Sequence, residues 1–230
     1  MLIDVFSDLV CPWCYIGNHR LSQALAERPR LRATRRWHPF LLNPDLPRRG
    51  IDRNLYLAIR FGSRERARQV QAVVEETARR DGLPLNLNRI LRTPNTLNAH
   101  RLVALAAETD AAERPADRPP EPSAAPPADR LTGALFAAYF VDGLDIGDPE
   151  VLLALATAAG LDPDRARACL KSDGDKDLAL FQAETQSHQF DLHAVPCFIF
   201  DRRFVLAGAQ EPAAFLPLLD LAVADAGLAA

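Results

Sequence analysis

The chain has 230 residues, 48% of them hydrophobic and 25% charged, with 27 basic against 30 acidic side chains and a net charge of −3. That balance belongs to a globular chain rather than a disordered one, and it supplies no basic stripe of the kind a polyanion requires. No apolar run reaches the ~20 residues of a membrane helix.

Residues 2–7 form a short β-branched and aromatic run that predicts a buried strand. Cys11-Pro12-Trp13-Cys14 follows, and Ile16, Leu21 and Leu25 then recur at helical spacing. Pro12 suits the first turn of that helix, where its missing N–H is not needed, and Pro29 is expected to end it. Leu31, Ala33 and Trp37 alternate with polar residues, so 31–38 reads as a second strand. The strand–helix–strand unit should be parallel with a right-handed crossover. Arg28, Arg30, Arg32, Arg35 and Arg36 cluster here and read as a solvated strand edge rather than a nucleic-acid patch.

From 41 onward the period is helical. Residues 64–80 put Ala67, Val70, Val73, Val74 and Ala78 on one face. Asn95 can cap a helix running to about 109, and another spans about 130–141. Asp148-Pro149-Glu150 is a start signal with a capping side chain, proline at the first position and an acid in the first turn. Gly160 closes that helix, Asp162-Pro163 opens the next, and 175–188 reads as a further helix. Between them, residues 110–130 hold Pro115, Pro119, Pro120, Pro122, Pro126 and Pro127 and cannot bury an apolar face, so they read as a mobile loop.

Strand character returns after 190. Val195 to Phe200 predicts a buried strand, Asp201-Arg202-Arg203 a turn and Phe204 to Ala207 the antiparallel return. Phe215, Leu216, Leu219, Ala222 and Val223 mark a closing helix. The order β-α-β, helical insertion, β-β-α is α/β. It resembles the thioredoxin fold with its middle replaced by an all-helical insertion: residues 1–40 and 190–230 form the thioredoxin-like domain and 41–189 the insertion.

A C-x-x-C just after the first strand of a βαβ pattern is a strong redox signal. Cysteine attacks a disulfide as thiolate. Cys11 stands where a strand ends and a helix begins, where free N–H groups and the helix dipole favour negative charge. Cys14 lies one turn deeper and can resolve a mixed disulfide formed at Cys11. Pro12 stiffens the turn, and Trp13 offers a flat apolar surface beside the attacking sulfur. Two other readings stay open. The pair could be half of a zinc site, but zinc takes about four ligands, Cys169 and Cys197 lie in unrelated contexts, and no metal is expected. The pair could also be inert core cysteines in a non-catalytic binding module. A proline opening a buried strand is unusual. Thioredoxin folds place a cis-proline at this point, so Val195–Pro196 is expected to be cis, leaving the Val195 backbone to pair with an extended substrate. The alternative is a trans-proline at a strand start. His100, beside Leu97 and Ala104, reads as a core histidine. Gln210, after Gly208, could hold a substrate carboxylate or simply cap the last helix.

Several motifs then stand together: Asp8-Leu9-Val10-Cys11-Pro12-Trp13-Cys14-Tyr15-Ile16-Gly17, Trp37-His38-Pro39-Phe40-Leu41-Leu42-Asn43-Pro44, Asn95-Thr96-Leu97-Asn98-Ala99-His100-Arg101-Leu102, Ala138-Tyr139-Phe140, Val195-Pro196 and Gly208-Ala209-Gln210. On these the chain resembles the DsbA-like thioredoxin superfamily, in its FrnE-like branch. The resemblance implies a thiol–disulfide oxidoreductase or isomerase acting on protein or small-molecule disulfides. Cys11 and Cys14 would be the redox pair, Pro196 the cis-proline, and Asn98 and His100 residues lining the cleft opposite the dithiol. No resident cofactor is implied, and glutathione is a candidate redox partner; neither nucleic acid nor membrane is. A related branch holds kappa-class glutathione transferases and 2-hydroxychromene-2-carboxylate isomerases, typically with serine in place of the first cysteine. A glutathione-dependent transferase or isomerase is therefore the alternative. Ala194 stands where the family usually has glycine, and Cys197 is an added thiol, either a core residue or a third redox group. The N-terminus has no basic and long apolar signal segment, so the cytoplasm is the expected compartment.

Overall fold

The apolar run at the start of the chain becomes the centre of a sheet. The computed structural model of the protein describes residues 1–113, 125–172 and 194–227. Strand β1 (Leu2–Ser7) is buried at every position after Leu2. It pairs in parallel with β2 (Thr34–Pro39), Val5 opposite Trp37, and antiparallel with β5 (Cys197–Phe200), Phe6 opposite Cys197. β6 (Phe204–Ala207) closes the sheet antiparallel to β5, giving the order β2-β1-β5-β6. A central strand covered on both faces explains why 2–7 lacks a clean apolar–polar alternation.

Helix α1 (Pro12–Ala26) joins β1 to β2. It stops three residues before Pro29, because the residue before a proline is driven out of helical conformation. Leu31 N then donates to Arg28 O in a turn, and the first bond to β2 is Thr34 N to Met1 O. The second strand therefore starts at 34 rather than 31. The alternation of β1 and β5 sorts their side chains by face. On one face Ile3, Val5, Phe198 and Phe200 pack with Leu21 and Ala24 of α1 and with Phe215 and Leu219 of the closing helix α8 (Pro212–Gly227). Each of the larger side chains contributes about 1.5–3 kcal/mol on burial. On the other face Phe6, Cys197 and Ile199 form a second cluster.

The arginine cluster is not simply a solvated edge. Arg28 chelates Asp220 through Nε at 2.6 Å and Nη2 at 2.9 Å. Arg35 Nη2 donates to Ser22 Oγ at 2.8 Å and Arg36 Nε to Asp4 Oδ1 at 2.5 Å. Only Arg30 and Arg32 of the five are exposed.

The chain divides into two units, Met1–Phe40 with Ala183–Ala230, and Leu41–Gln182. The second is helical but also holds a two-stranded ribbon, β3 (Ile51–Asp52) against β4 (Arg92–Thr93), where an all-helical insertion was expected. It further holds a helix the apolar pattern does not announce, α2 (Arg53–Phe61), capped by the Asp52 carboxylate on Leu55 N and closed at Gly62 in the left-handed region. Then come α3 (Arg64–Arg80), capped by Ser63, and α4 (Leu97–Glu113), where Asn95 Oδ1 accepts from Leu97 N. Helix α5 (Pro127–Ala137) passes into one π-helical turn (Ala138–Asp142). Asp148 and Asp162 cap α6 (Pro149–Ala158) and α7 (Pro163–Lys171). The segment read as one loop over 110–130 is thus helical at both ends: α4 runs to Glu113, and Pro127 opens α5, because proline fits the first helical turn. Residues 114–124 and the helix expected over 175–188 lie outside the described residues. Tyr139 packs edge-on to Phe140 at 5.0 Å, both fully buried, and donates to Arg92 O at 3.2 Å.

Candidate active site

The dithiol is built by the end of β1 and the start of α1. After Ser7 the chain turns, Cys11 N donating to Asp8 O at 3.1 Å. Cys11 is the N-cap of α1, in extended conformation, with Pro12 at the first helical position and no side chain capping the helix. The uncapped end concentrates N–H dipoles where the Cys11 side chain begins, an arrangement that favours an anion. Cys11 O accepts from Cys14 N at 3.0 Å and Tyr15 N at 3.2 Å, which fixes Cys14 one turn in. Both cysteines are free thiols; Cys11 is 5% exposed and Cys14 1%. Burial first, and then the neighbouring Cys11, push the Cys14 thiol well above its ordinary range. Contacts to Ser7 and the Asp8 backbone act in the opposite sense without cancelling them. Pro12 and Trp13 are half-buried.

Against the dithiol stands the start of β5. The Val195–Pro196 peptide bond is cis. Cys11 Sγ lies 4.0 Å from Val195 O, and Pro196 O accepts from Gly208 N at 2.8 Å. Cys197, next in sequence, is fully buried, and burial pushes its thiol up to about 11. A thiol so placed stays protonated at neutral pH, as a core residue does. Cys169 is half-buried on α7.

The other expected residues fall elsewhere. Gln210 is exposed and precedes α8 by two residues. Its Nε2 donates to Ala207 O at 2.9 Å, so the amide ties down the end of β6 instead of capping the helix. Asn98 and His100 sit on α4 in the Leu41–Gln182 unit. Asn98 Oδ1 accepts from Arg48 Nη1 at 3.3 Å and Arg101 Nη1 at 3.2 Å, and His100 is buried. Cys11, Cys14, Val195 and Pro196 thus meet within one unit, whereas Asn98 and His100 belong to the other. Among the described residues no three of His, Cys, Asp and Glu gather as metal ligands.

Two features escape the sequence reading. Asp4, 2% exposed in mid-strand, receives Arg36 Nε and faces His38 Nε2 at 2.6 Å, while the His38 ring stacks on Phe6 at 4.6 Å. A lone acid inside an apolar strand signals a buried partner, but not which residue. Arg20 is buried on α1, and nothing local marks it.

A dithiol at the N-terminus of the first helix, set against a cis-proline strand of a four-stranded mixed sheet, defines a thioredoxin-type fold. The family model for the DSBA-like thioredoxin domain matches residues 2–220, and the chain belongs to that family. The crystal structure of a probable DsbA oxidoreductase from Streptomyces coelicolor is similar, with TM-score 0.80 and 27% identity over 97% of this chain and 90% of that one. The cytosolic disulfide reductase DsbM from Pseudomonas aeruginosa, solved with GSH, gives TM-score 0.62 at 18% identity over 100% of both chains. A 2-hydroxychromene-2-carboxylate isomerase gives 0.63 at 16% identity over 98% and 95%. At these lower identities the likeness is one of fold.

Proposed function

We propose that the protein is a thiol–disulfide oxidoreductase using Cys11 and Cys14 on protein or small-molecule disulfides. The observation that carries this reading is the approach of Cys11 Sγ to Val195 O at 4.0 Å, with Cys14 sealed behind it. In the reducing direction the Cys11 thiolate attacks one sulfur of a substrate disulfide. The Cys11–substrate bond forms, the substrate S–S bond breaks, and the departing sulfur takes up a proton. Cys14 then gives up its proton and attacks Cys11 Sγ, releasing the second substrate thiol. The substrate gains two electrons, and the protein holds a Cys11–Cys14 disulfide. The oxidising direction is the reverse. Burial of Cys14 keeps it a thiol until the mixed disulfide forms, so Cys11 attacks first. The backbone of Val195 offers an extended substrate one rung of strand pairing, and Pro12, Trp13 and Pro196 supply the apolar surround.

Glutathione fits as the thiol that resets the pair, a role supported by a fold neighbour solved with GSH. That neighbour is named as cytosolic, and the cytoplasm is the compartment proposed here. No resident cofactor is required. Asn98 and His100 remain proposed substrate contacts, to be tested by alanine substitution. The second reading, a glutathione-dependent transferase or isomerase, is supported by the fold likeness to the isomerase. Cys11→Ser separates the two. An oxidoreductase loses reduction of insulin disulfides by about 10³-fold or more, because the covalent step is gone. Retained turnover by Cys11→Ser with glutathione would instead favour the transferase reading.

A further inference from the structure

One turn below the dithiol, α1 grips the loop that braces the cis-proline. Gly17 and Arg20 are three residues apart and share a helix face. A Cβ on Gly17 would stand 2.9 Å from Pro196 Cγ and 3.5 Å from Ala209 Cα, so the helix backbone and the proline touch directly. Beside it the Arg20 guanidinium, 3% exposed, donates from Nη1 to Ala209 O at 2.7 Å and from Nη2 to Glu211 Oε1 at 2.9 Å. Gly208 N in turn donates to Pro196 O at 2.8 Å. A short chain of hydrogen bonds therefore links the dithiol helix, the 208–211 loop and the cis-proline.

The bonds to Ala209 and Glu211 are unequal. Glu211 is 64% exposed, and an ion pair open to water on one side contributes little. The bond to Ala209 O is charge-assisted and shielded, and it touches the loop backbone itself. A buried guanidinium is a weak source of stability, since an apolar side chain of similar volume often serves as well. Its distinctive property is directional: it fixes one carbonyl relative to the helix.

We infer that Arg20 is a positioning residue for disulfide exchange. It holds the loop, and through Gly208 the cis-proline strand, at a set height against Cys11. A polypeptide segment paired with Val195 then presents its disulfide within reach of Sγ. This rests on the oxidoreductase reading above. Misplacement by about 1 Å can cost about 10²-fold in a positioned reaction, whereas a small disulfide that needs no strand pairing should not sense it.

The test compares Arg20→Met with the wild type on a disulfide-bonded peptide and on 5,5′-dithiobis(2-nitrobenzoate). The peptide KM should rise about tenfold or more. The rate with the aromatic disulfide, and the midpoint potential against glutathione, should stay within about twofold. Arg20→Lys, which can still donate to Ala209 O, should recover most of the peptide KM, and Glu211→Gln should leave it within about twofold. If Arg20→Met does not fold, Arg20→Gln, too short to reach Ala209 O, is held to the same expectations. An unchanged peptide KM, equal losses on both disulfides, or unfolding of both variants would overturn the inference. Wild-type protein inert toward both disulfides would overturn the oxidoreductase reading and this inference with it.

Discussion

Cys11 and Cys14 are three residues apart, and their surroundings divide the labour between them. Cys11 occupies the N-cap position of a helix that no side chain caps, and its sulfur approaches Val195 of the cis-proline segment. Cys14 is sealed, and burial raises its thiol. The spacing in the sequence already implied this division, because one helical turn separates an end from an interior. The acid in the neighbouring strand was not assignable in the same way. Burial by itself would raise the Asp4 carboxyl, but hydrogen bonds and charge from His38 and Arg36 outweigh it and hold it below the usual value. A lowered folded value means the unfolded chain binds the proton more tightly. The stabilisation is therefore complete above about pH 5 and is lost below about pH 4, as pH falls through the folded value. Asp4→Asn should cost about 1.5–3 kcal/mol at pH 7, the range for hydrogen bonds to charged groups. It should also flatten the acid limb of stability against pH, measured by urea unfolding from pH 3 to 7. An unchanged acid limb would remove Asp4 from the account.

At the scale of elements, ends were easier to read than interiors. Asp148-Pro149 and Asp162-Pro163 announced α6 and α7 because capping is local chemistry, and both aspartates accept first-turn N–H groups. Helix α2 was missed because Leu55 and Ile59 stay exposed, so its apolar residues mark no core face; its caps, Asp52 and Gly62, were the available signal. The β3–β4 ribbon joins pairs of residues some 40 positions apart, and two-residue strands carry no period to detect. Two glycines show which constraints are tertiary. Both Gly62 and Gly143 have positive φ, 77° and 73°. A Cβ on Gly62 meets nothing within 4 Å, while on Gly143 it would lie 2.4 Å from Arg89 O. Gly62→Ala should therefore cost about 1–2 kcal/mol, for backbone conformation alone. Gly143→Ala should cost about 2–4 kcal/mol, since a clash with main chain adds to it. Thermal and urea unfolding of the two variants gives the comparison, and equal losses would contradict the role given to Arg89.

For the whole molecule, the order β-α-β, helical insertion, β-β-α was legible because β1, β5 and β6 are largely apolar runs and the approach to β2 alternates apolar with polar residues. The dithiol was legible because its position between strand and helix is a matter of adjacency. What the sequence did not reveal is whatever depends on distant parts meeting: Asp4 with His38, and Arg20 with Ala209. The central claim is that Cys11 and Cys14 form one two-electron couple while the other thiols stand aside. It is tested most directly by equilibrating the protein in glutathione buffers of graded potential and locating disulfides by differential alkylation and mass spectrometry. Cys11 and Cys14 should be oxidised together, in a single two-electron transition with a midpoint in the range of about −270 to −120 mV known for this kind of dithiol. Cys197, buried and raised to about 11, should remain a thiol throughout. Oxidation that leaves Cys11 and Cys14 unbonded to each other, or that pairs either of them with Cys197, would contradict it.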